Sequence, residues 1–82
     1  MATILIVEDD PDIQELVSYN LKRAGHRTLG VTTAEAALGS VNQWLPDLVL
    51  MDWMLAAMSG IELARTLRAA RRTADIPLIM LA

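Results

Sequence analysis

Four short apolar runs divide the chain into regular intervals. They are TILIV at 3–7, a weaker run at 26–31 with RTLGV at its centre, LVLM at 48–51 and LIML at 78–81. The first, third and fourth are unbroken, which is typical of strands that are buried on both faces of a sheet. Gly30 interrupts the second run and favours an edge strand there, because glycine weakens a strand interior.

Helical patterns with recognisable starts and ends fill the intervals between these runs. Asp10 followed by Pro11 predicts the start of the first helix, and Gly25 predicts its end. A capping box from Thr32 to Glu35 predicts a second helix that runs to about Gln43. The apolar face of the first helix is predicted to hold Ile13, Leu16, Val17, Leu21 and Ala24.

The third interval contains a loop and then a helix. Ser59 and Glu62 form a second capping box, and the helix is expected to end near 70–72. Its apolar face is predicted to hold Ile61, Ala64 and Leu67. The resulting order, β-α-β-α-β-α-β, predicts a single α/β domain with a parallel sheet and helices on both of its faces.

Composition and charge exclude several classes of protein. Of 82 residues, 54% are hydrophobic, which is not the composition of a disordered tail. There is no cysteine, which excludes disulfides and thiolate metal sites and fits a reducing cytoplasm. A formal net charge of −3 argues against a general nucleic-acid surface. We expect no signal peptide and no membrane span, since no apolar run approaches ~20 residues.

Carboxylates follow two of the predicted strands directly. Glu8 and Asp9 come after the first strand, and Asp52 is expected just past the end of the third. In a doubly wound sheet of order 2-1-3-4 these strands are neighbours, so the carboxylates meet at one edge. Their repulsion raises at least one pKa unless a cation such as Mg²⁺ is bound, and a carboxylate can serve as a phosphoryl acceptor.

A purely structural interpretation of the same acidic residues stays open on pattern alone. In it, the segment from Glu8 to Asp10 caps the first helix, and Asp52 begins a polar loop. For Asp10 we favour the capping role, because Pro11 follows it. A phosphohydrolase that uses an aspartyl-phosphate is disfavoured, because residues 8–10 do not supply a D-x-D pattern.

Four segments together resemble the receiver domain of two-component response regulators. They read ILIVEDDPDIQELV, LPDLVLMDWML, SGIEL and DIPLIML, and the resemblance is closest to the OmpR-type subfamily that includes the phosphate-regulon regulators. It implies a flavodoxin-like fold with Asp52 as the phosphoacceptor. It also implies a Mg²⁺ site made by Asp9, Asp52 and the backbone carbonyl of Met54, with Glu8 acting through water.

The resemblance also implies partners for this domain. A sensor histidine kinase donates the phosphoryl group, and phosphorylation controls the dimerisation of an attached DNA-binding output domain that this chain does not contain. On this basis we expect a cytoplasmic signalling module and not an enzyme.

The sequence departs from the family pattern in three places. Ala56 and Ala57 replace a Pro-Gly pair, Ala82 stands where a Ser or Thr hydroxyl is usual, and the last helix-strand-helix with its lysine does not follow. We therefore expect residues 1–82 to be the N-terminal part of a receiver. We also expect a homodimer or other self-association through the exposed apolar edge of the fourth strand. The alternative function is a pseudo-receiver or fragment that serves only as an interaction module.

Overall fold

The computed structural model describes residues 1–55 and 61–81, with Trp53 described by its backbone alone. The elements in order are β1 Thr3–Val7, α1 Pro11–Arg23, β2 Arg27–Val31, α2 Ala34–Trp44, β3 Leu48–Asp52, α3 Trp53–Leu55, α4 Ile61–Ala69 and β4 Leu78–Leu81. One helix was predicted between β3 and β4, and the described chain has the short turn α3 and then α4. The predicted cap at Ser59 and the replacements Ala56, Ala57 and Ala82 lie outside the described residues.

The four strands form one parallel sheet in the predicted order, β2-β1-β3-β4. Val7 at the end of β1 lies between Val31 of β2 and Met51 of β3. Asp52 pairs with Leu81 of β4. The carboxyl ends of the strands therefore meet at one edge of the sheet, as the doubly wound order requires. The prediction that β2 is an edge strand is also confirmed.

Side chains of the central strands alternate between two apolar layers. Leu5, Val7, Val49 and Met51 pack with α2 and α4 on one face, and the buried helix residues there are Ala37, Val41, Leu63 and Leu67. Ile4, Ile6 and Leu50 pack under α1 on the other face. Both β1 and β3 are thus covered on both faces, which explains why their sequences are continuously apolar.

Helix α1 begins and ends where the sequence predicts. The Asp10 carboxylate accepts hydrogen bonds from the backbone N–H groups of Asp12, at 2.9 Å, and Ile13, at 3.2 Å. Pro11 occupies the first turn. After the helix, Gly25 adopts φ +93°, a left-handed conformation that favours glycine. The capping interpretation of Asp10 is therefore confirmed.

The predicted apolar face of α1 is only partly correct. Val17 and Leu21 pack against the sheet, but Ile13 and Leu16 are exposed. The inward positions are 14, 17, 18 and 21, and two of these are polar. The Ser18 hydroxyl lies 2.7 Å from that of Thr28 on β2, so a satisfied hydrogen bond permits a polar residue on the inner side.

Two further helix predictions need correction. Thr33, not Thr32, caps α2: its hydroxyl accepts from the Ala36 N–H at 3.0 Å, because the helix starts one residue later than predicted. In α4, Ile61 is 61% exposed whereas Leu63 is 1% exposed. The stripe that faces the sheet runs through Leu63 and Leu67, four residues apart.

The end of α4 also differs from its prediction. A residue outside the helix, Thr73, binds carbonyl groups at this end. The helix ends at Ala69, slightly before the predicted 70–72. The buried Thr73 hydroxyl donates to the carbonyl of Leu67 at 2.6 Å and to that of Ala70 at 3.3 Å. None of the described helices is long and apolar enough to cross a membrane.

Candidate functional site

Glu8 is the buried member of the acidic cluster at the carboxyl edge of the sheet. It directly follows β1 and is only 3% exposed. Its backbone N–H donates to the Val31 carbonyl at 3.0 Å, which extends the pairing of β1 with β2 by one residue. Its carboxylate accepts a hydrogen bond from the Asp10 N–H at 3.3 Å. Glu8 is therefore fixed in position by both its backbone and its side chain.

The structure brings together the three carboxylates that the sequence predicts. One carboxylate oxygen from each of Glu8, Asp9 and Asp52 lies within 4.8 Å of the other two. Asp9 is exposed and Asp52 is partly buried, so the cluster opens to solvent on one side. The convergence follows from the direct pairing of β1 with β3. Asp52 is the last residue of β3, because the strand ends one residue later than predicted.

Burial and repulsion act together on Glu8. Burial raises the pKa of the Glu8 carboxyl, and the neighbouring Asp52 carboxylate raises this pKa further. The hydrogen bond from the Asp10 N–H opposes this effect, while Asp9 and Asp10 add smaller repulsions. The sequence argument expected a raised pKa in the metal-free cluster, and Glu8 is the group that has it.

The donor set of this cluster fits a hard divalent cation. Carboxylate oxygens are the ligands that Mg²⁺ prefers, and a site with few carboxylates leaves positions for water and a phosphoryl group. A cation would also offset the repulsion that raises the pKa of Glu8. Asp10 is engaged as the helix cap. Met54 follows two residues after Asp52 in α3, and the role of its carbonyl as a ligand stays a prediction.

Sequence reasoning missed two residues beside this cluster. The side-chain amide of Gln14 donates to the carbonyls of Glu8, at 3.0 Å, and Val31, at 2.9 Å. Gly30 provides the space that this amide occupies, since an added Cβ would lie only 2.7 Å from the Gln14 Cδ. A polar residue one turn before the inward Val17 and Ser18 is the signal that could have indicated Gln14.

Comparison with known proteins identifies the family. Residues 4–82 match the response regulator receiver domain. This chain belongs to that family. Among curated relatives, the receiver is similar to the phosphate regulon transcriptional regulatory protein PhoB of Pseudomonas aeruginosa, with 46% identity over 79 residues. The match covers 96% of this chain and 34% of PhoB, so the chain spans about a third of that relative's length.

Solved structures agree with the receiver fold. The N-terminal domain of a response regulator receiver protein from Methanoculleus marisnigri has a TM-score of 0.89 at 36% identity, covering 100% of this chain and 67% of that one. The receiver domain of sensor histidine kinase PA1611 from P. aeruginosa has a TM-score of 0.88 at 31% identity, covering 99% and 66%. That structure has a magnesium ion coordinated in its active-site cleft.

Proposed function

We propose that this receiver domain accepts a phosphoryl group on Asp52 from a sensor histidine kinase. The observation that carries the proposal is the convergence of Glu8, Asp9 and Asp52 at the carboxyl edge of the sheet. In this proposal Asp9, Asp52 and the Met54 carbonyl bind Mg²⁺ directly, and Glu8 acts through water. Bound Mg²⁺ would neutralise the negative charge of the arriving phosphoryl group.

In the transfer itself, the Asp52 carboxylate is the acceptor and a phosphorylated kinase histidine is the donor. An Asp52 oxygen attacks the phosphorus atom, and a P–O bond forms while the P–N bond to the kinase histidine breaks. The electron pair of the broken bond passes to the imidazole nitrogen, which then takes a proton from solvent. Partial exposure leaves Asp52 within reach of the donor, and the pairing of Asp52 with Leu81 holds its backbone. The domain is an acceptor and not an enzyme.

The likeness to PhoB supports a role in transcription control. In the proposed full-length protein, phosphorylation of Asp52 regulates a DNA-binding output domain, and the pathway operates in the cytoplasm. Contact with DNA then belongs to the output domain. Self-association through β4 stays a prediction that the comparisons do not support.

One sequence feature favours a second function. Ala82, which follows β4, offers no hydroxyl to a phosphoryl group. This supports a phosphorylation-incompetent receiver that acts only by binding partners. Phosphorylation and partner binding are separable, so a direct assay of phosphoryl transfer distinguishes the two functions.

The test is incubation of the chain with acetyl phosphate and Mg²⁺, followed by intact-mass measurement. Because Ala82 offers no hydroxyl, we expect at most a weak phosphoryl adduct on the parent chain and none on Asp52→Asn. Asp75→Asn is the matched control, because Asp75 is exposed and lies outside the cluster, and it should retain the adduct. An adduct that persists in Asp52→Asn contradicts the assignment, and no adduct on a folded parent favours the second function.

A further inference from the structure

The side-chain amide of Gln14 joins three elements beside the acidic cluster. It projects from the first turn of α1, and its Nε2 donates to the carbonyls of Glu8 and Val31, at 3.0 and 2.9 Å. An amide nitrogen has two N–H groups, so one side chain can serve both acceptors. These carbonyls lie at the carboxyl ends of β1 and β2. Gln14 therefore ties α1 to both strands at the edge where the cluster lies.

Gly30 makes this arrangement possible. A Cβ at position 30 would meet the Gln14 amide, with its Oε1 nearest and its Cδ at 2.7 Å. The end of a glutamine side chain is usually flexible, but two hydrogen bonds hold this one. A side chain at Gly30 therefore requires the amide to shift, and we expect this shift to weaken its bonds to the two carbonyls. Glycine is required at this position for space, not for an unusual backbone conformation.

The bond to the Glu8 carbonyl bears directly on the cluster. That carbonyl and the N–H of Asp9 belong to one planar peptide unit, so holding the oxygen fixes the orientation of the peptide that leads into Asp9. The Glu8 N–H is also held, by the Val31 carbonyl at 3.0 Å. The backbone between two of the three clustered carboxylates is thus fixed on both sides, and Gln14 supplies one of these restraints.

Docking of α1 onto the sheet does not depend on Gln14 alone. One turn further along, the Ser18 hydroxyl bonds to Thr28, while Val17 and Leu21 pack against the apolar layer under α1. These contacts hold the helix without touching Glu8. The bonds made by Gln14 are the ones that reach the peptide of the cluster, so its effect on the cluster is separable from helix docking.

We propose that Gln14 is a positioning residue for the acidic cluster. It holds the Glu8–Asp9 peptide so that both carboxylates face Asp52, with Asp9 placed to bind a divalent cation directly and Glu8 to act through water. This inference rests on the proposed function. It assigns to Gln14 an indirect role through the backbone, since its amide donates to carbonyls and not to the carboxylates. It also assigns to Gly30 the role of providing the necessary space.

The test is a titration of the full chain with Mg²⁺ alone. Binding is monitored through the amide resonances of Asp9 and Asp52 in NMR spectra. Gln14→Met keeps the length of the side chain and removes both hydrogen bonds, so we expect Mg²⁺ affinity about tenfold weaker, as for other groups that orient ligands. Gly30→Ala should weaken binding similarly, because it displaces the same amide. The double variant should be no weaker than Gln14→Met, because both changes remove the same contact.

Two matched controls separate positioning from general destabilisation. Ser18→Ala removes the neighbouring bond between α1 and β2, so it lowers the melting temperature and leaves Mg²⁺ affinity unchanged. Gly39→Ala adds a Cβ that meets nothing within 4 Å. It should therefore cause neither the loss of Mg²⁺ affinity nor the destabilisation that Gly30→Ala causes. The same spectra report whether each variant is folded, and Gly30→Ala carries the test if Gln14→Met does not fold.

The outcomes distinguish this inference from the proposed function on which it rests. A parent chain that binds no Mg²⁺ overturns the proposed function and the positioning role with it. Parent-like affinity in folded Gln14→Met overturns the positioning role and leaves the proposed function intact. Equal weakening by Ser18→Ala and Gln14→Met also overturns it, because helix docking would then explain the effect.

Discussion

Val7 and Met51 lie opposite each other in the pairing of β1 with β3, and this relationship creates the acidic cluster. The residues that follow them in the chain are Glu8 and Asp52. Two carboxylates therefore lie side by side at the carboxyl ends of neighbouring strands. Asp9 completes the group. Without a cation these charges repel, and the site therefore opposes the stability of the fold that positions it.

Asp52→Asn is expected to stabilise the metal-free chain. The substitution removes the charge that, after burial, contributes most to the raised pKa of Glu8. We expect the free energy of unfolding at neutral pH to rise by about 1 kcal/mol, measured by denaturant titration in the presence of a chelator. The exposed Asp75→Asn should change it by less than about 0.5 kcal/mol. A destabilised Asp52→Asn would contradict the repulsion argument.

The raised pKa of Glu8 predicts a pH dependence of stability. Between the ordinary value of 4.5 and the raised value in the folded chain, the folded state binds more protons than the unfolded state. The Glu8 contribution to the free energy of unfolding is thus fully present below this range and is lost as pH rises through it. Metal-free melting curves across this range should show that loss. Glu8→Gln should remove it, whereas the exposed Glu15→Gln should keep it.

A pair of substitutions tests which face of α4 packs against the sheet. Leu63 is fully buried, so Leu63→Ala should lower the free energy of unfolding by about 2–5 kcal/mol. Ile61 is mostly exposed, so Ile61→Ala should change it by about 0.5 kcal/mol or less. Chemical denaturation of both variants measures the difference. Similar losses in the two variants would mean that the helix is turned differently.

Thr73→Val should destabilise the chain although it preserves side-chain shape. It removes the donor to the carbonyls of Leu67 and Ala70 at a buried position, and we expect a cost of about 1–3 kcal/mol. Thr66→Val is the control, since the Thr66 hydroxyl bonds to the Glu62 carbonyl on the exposed side of α4. Thermal melting of the two variants should separate them, and equal melting temperatures would exclude the capping role of Thr73.

Self-association through β4 is the remaining prediction. Ile79 and Met80 expose apolar side chains on this strand, and in the described part of the chain β4 pairs with β3 alone. We expect light scattering to show a mass that rises with protein concentration, and Met80→Lys to reduce it, because charges oppose strand pairing at an edge. Lys22→Met on α1 is a charge-changing control. A monomer at all concentrations would refute the prediction.

The sequence alone determined the four strands, the helical connections between them, the parallel sheet and the carboxylates that meet at its edge. Unbroken apolar runs such as LVLM require cover on both faces, and a parallel sheet with that cover brings the ends of its strands together. The cap formed by Asp10 is equally local, because Asp10 binds backbone groups two and three residues away. Interactions of this short range can be inferred from the chain itself.

Tertiary structure decided which side of each helix faces inward and which polar groups are buried. Hydrophobicity favoured Ile13 and Leu16 in α1, yet Gln14 lies inward because carbonyls of β1 and β2 accept its hydrogen bonds. The partner Val31 is 17 positions away in sequence. The space left by Gly30 likewise matters only because Gln14, from another element, occupies it. A helical period admits more than one stripe in a short segment, and only the packed fold shows which polar side chains have partners.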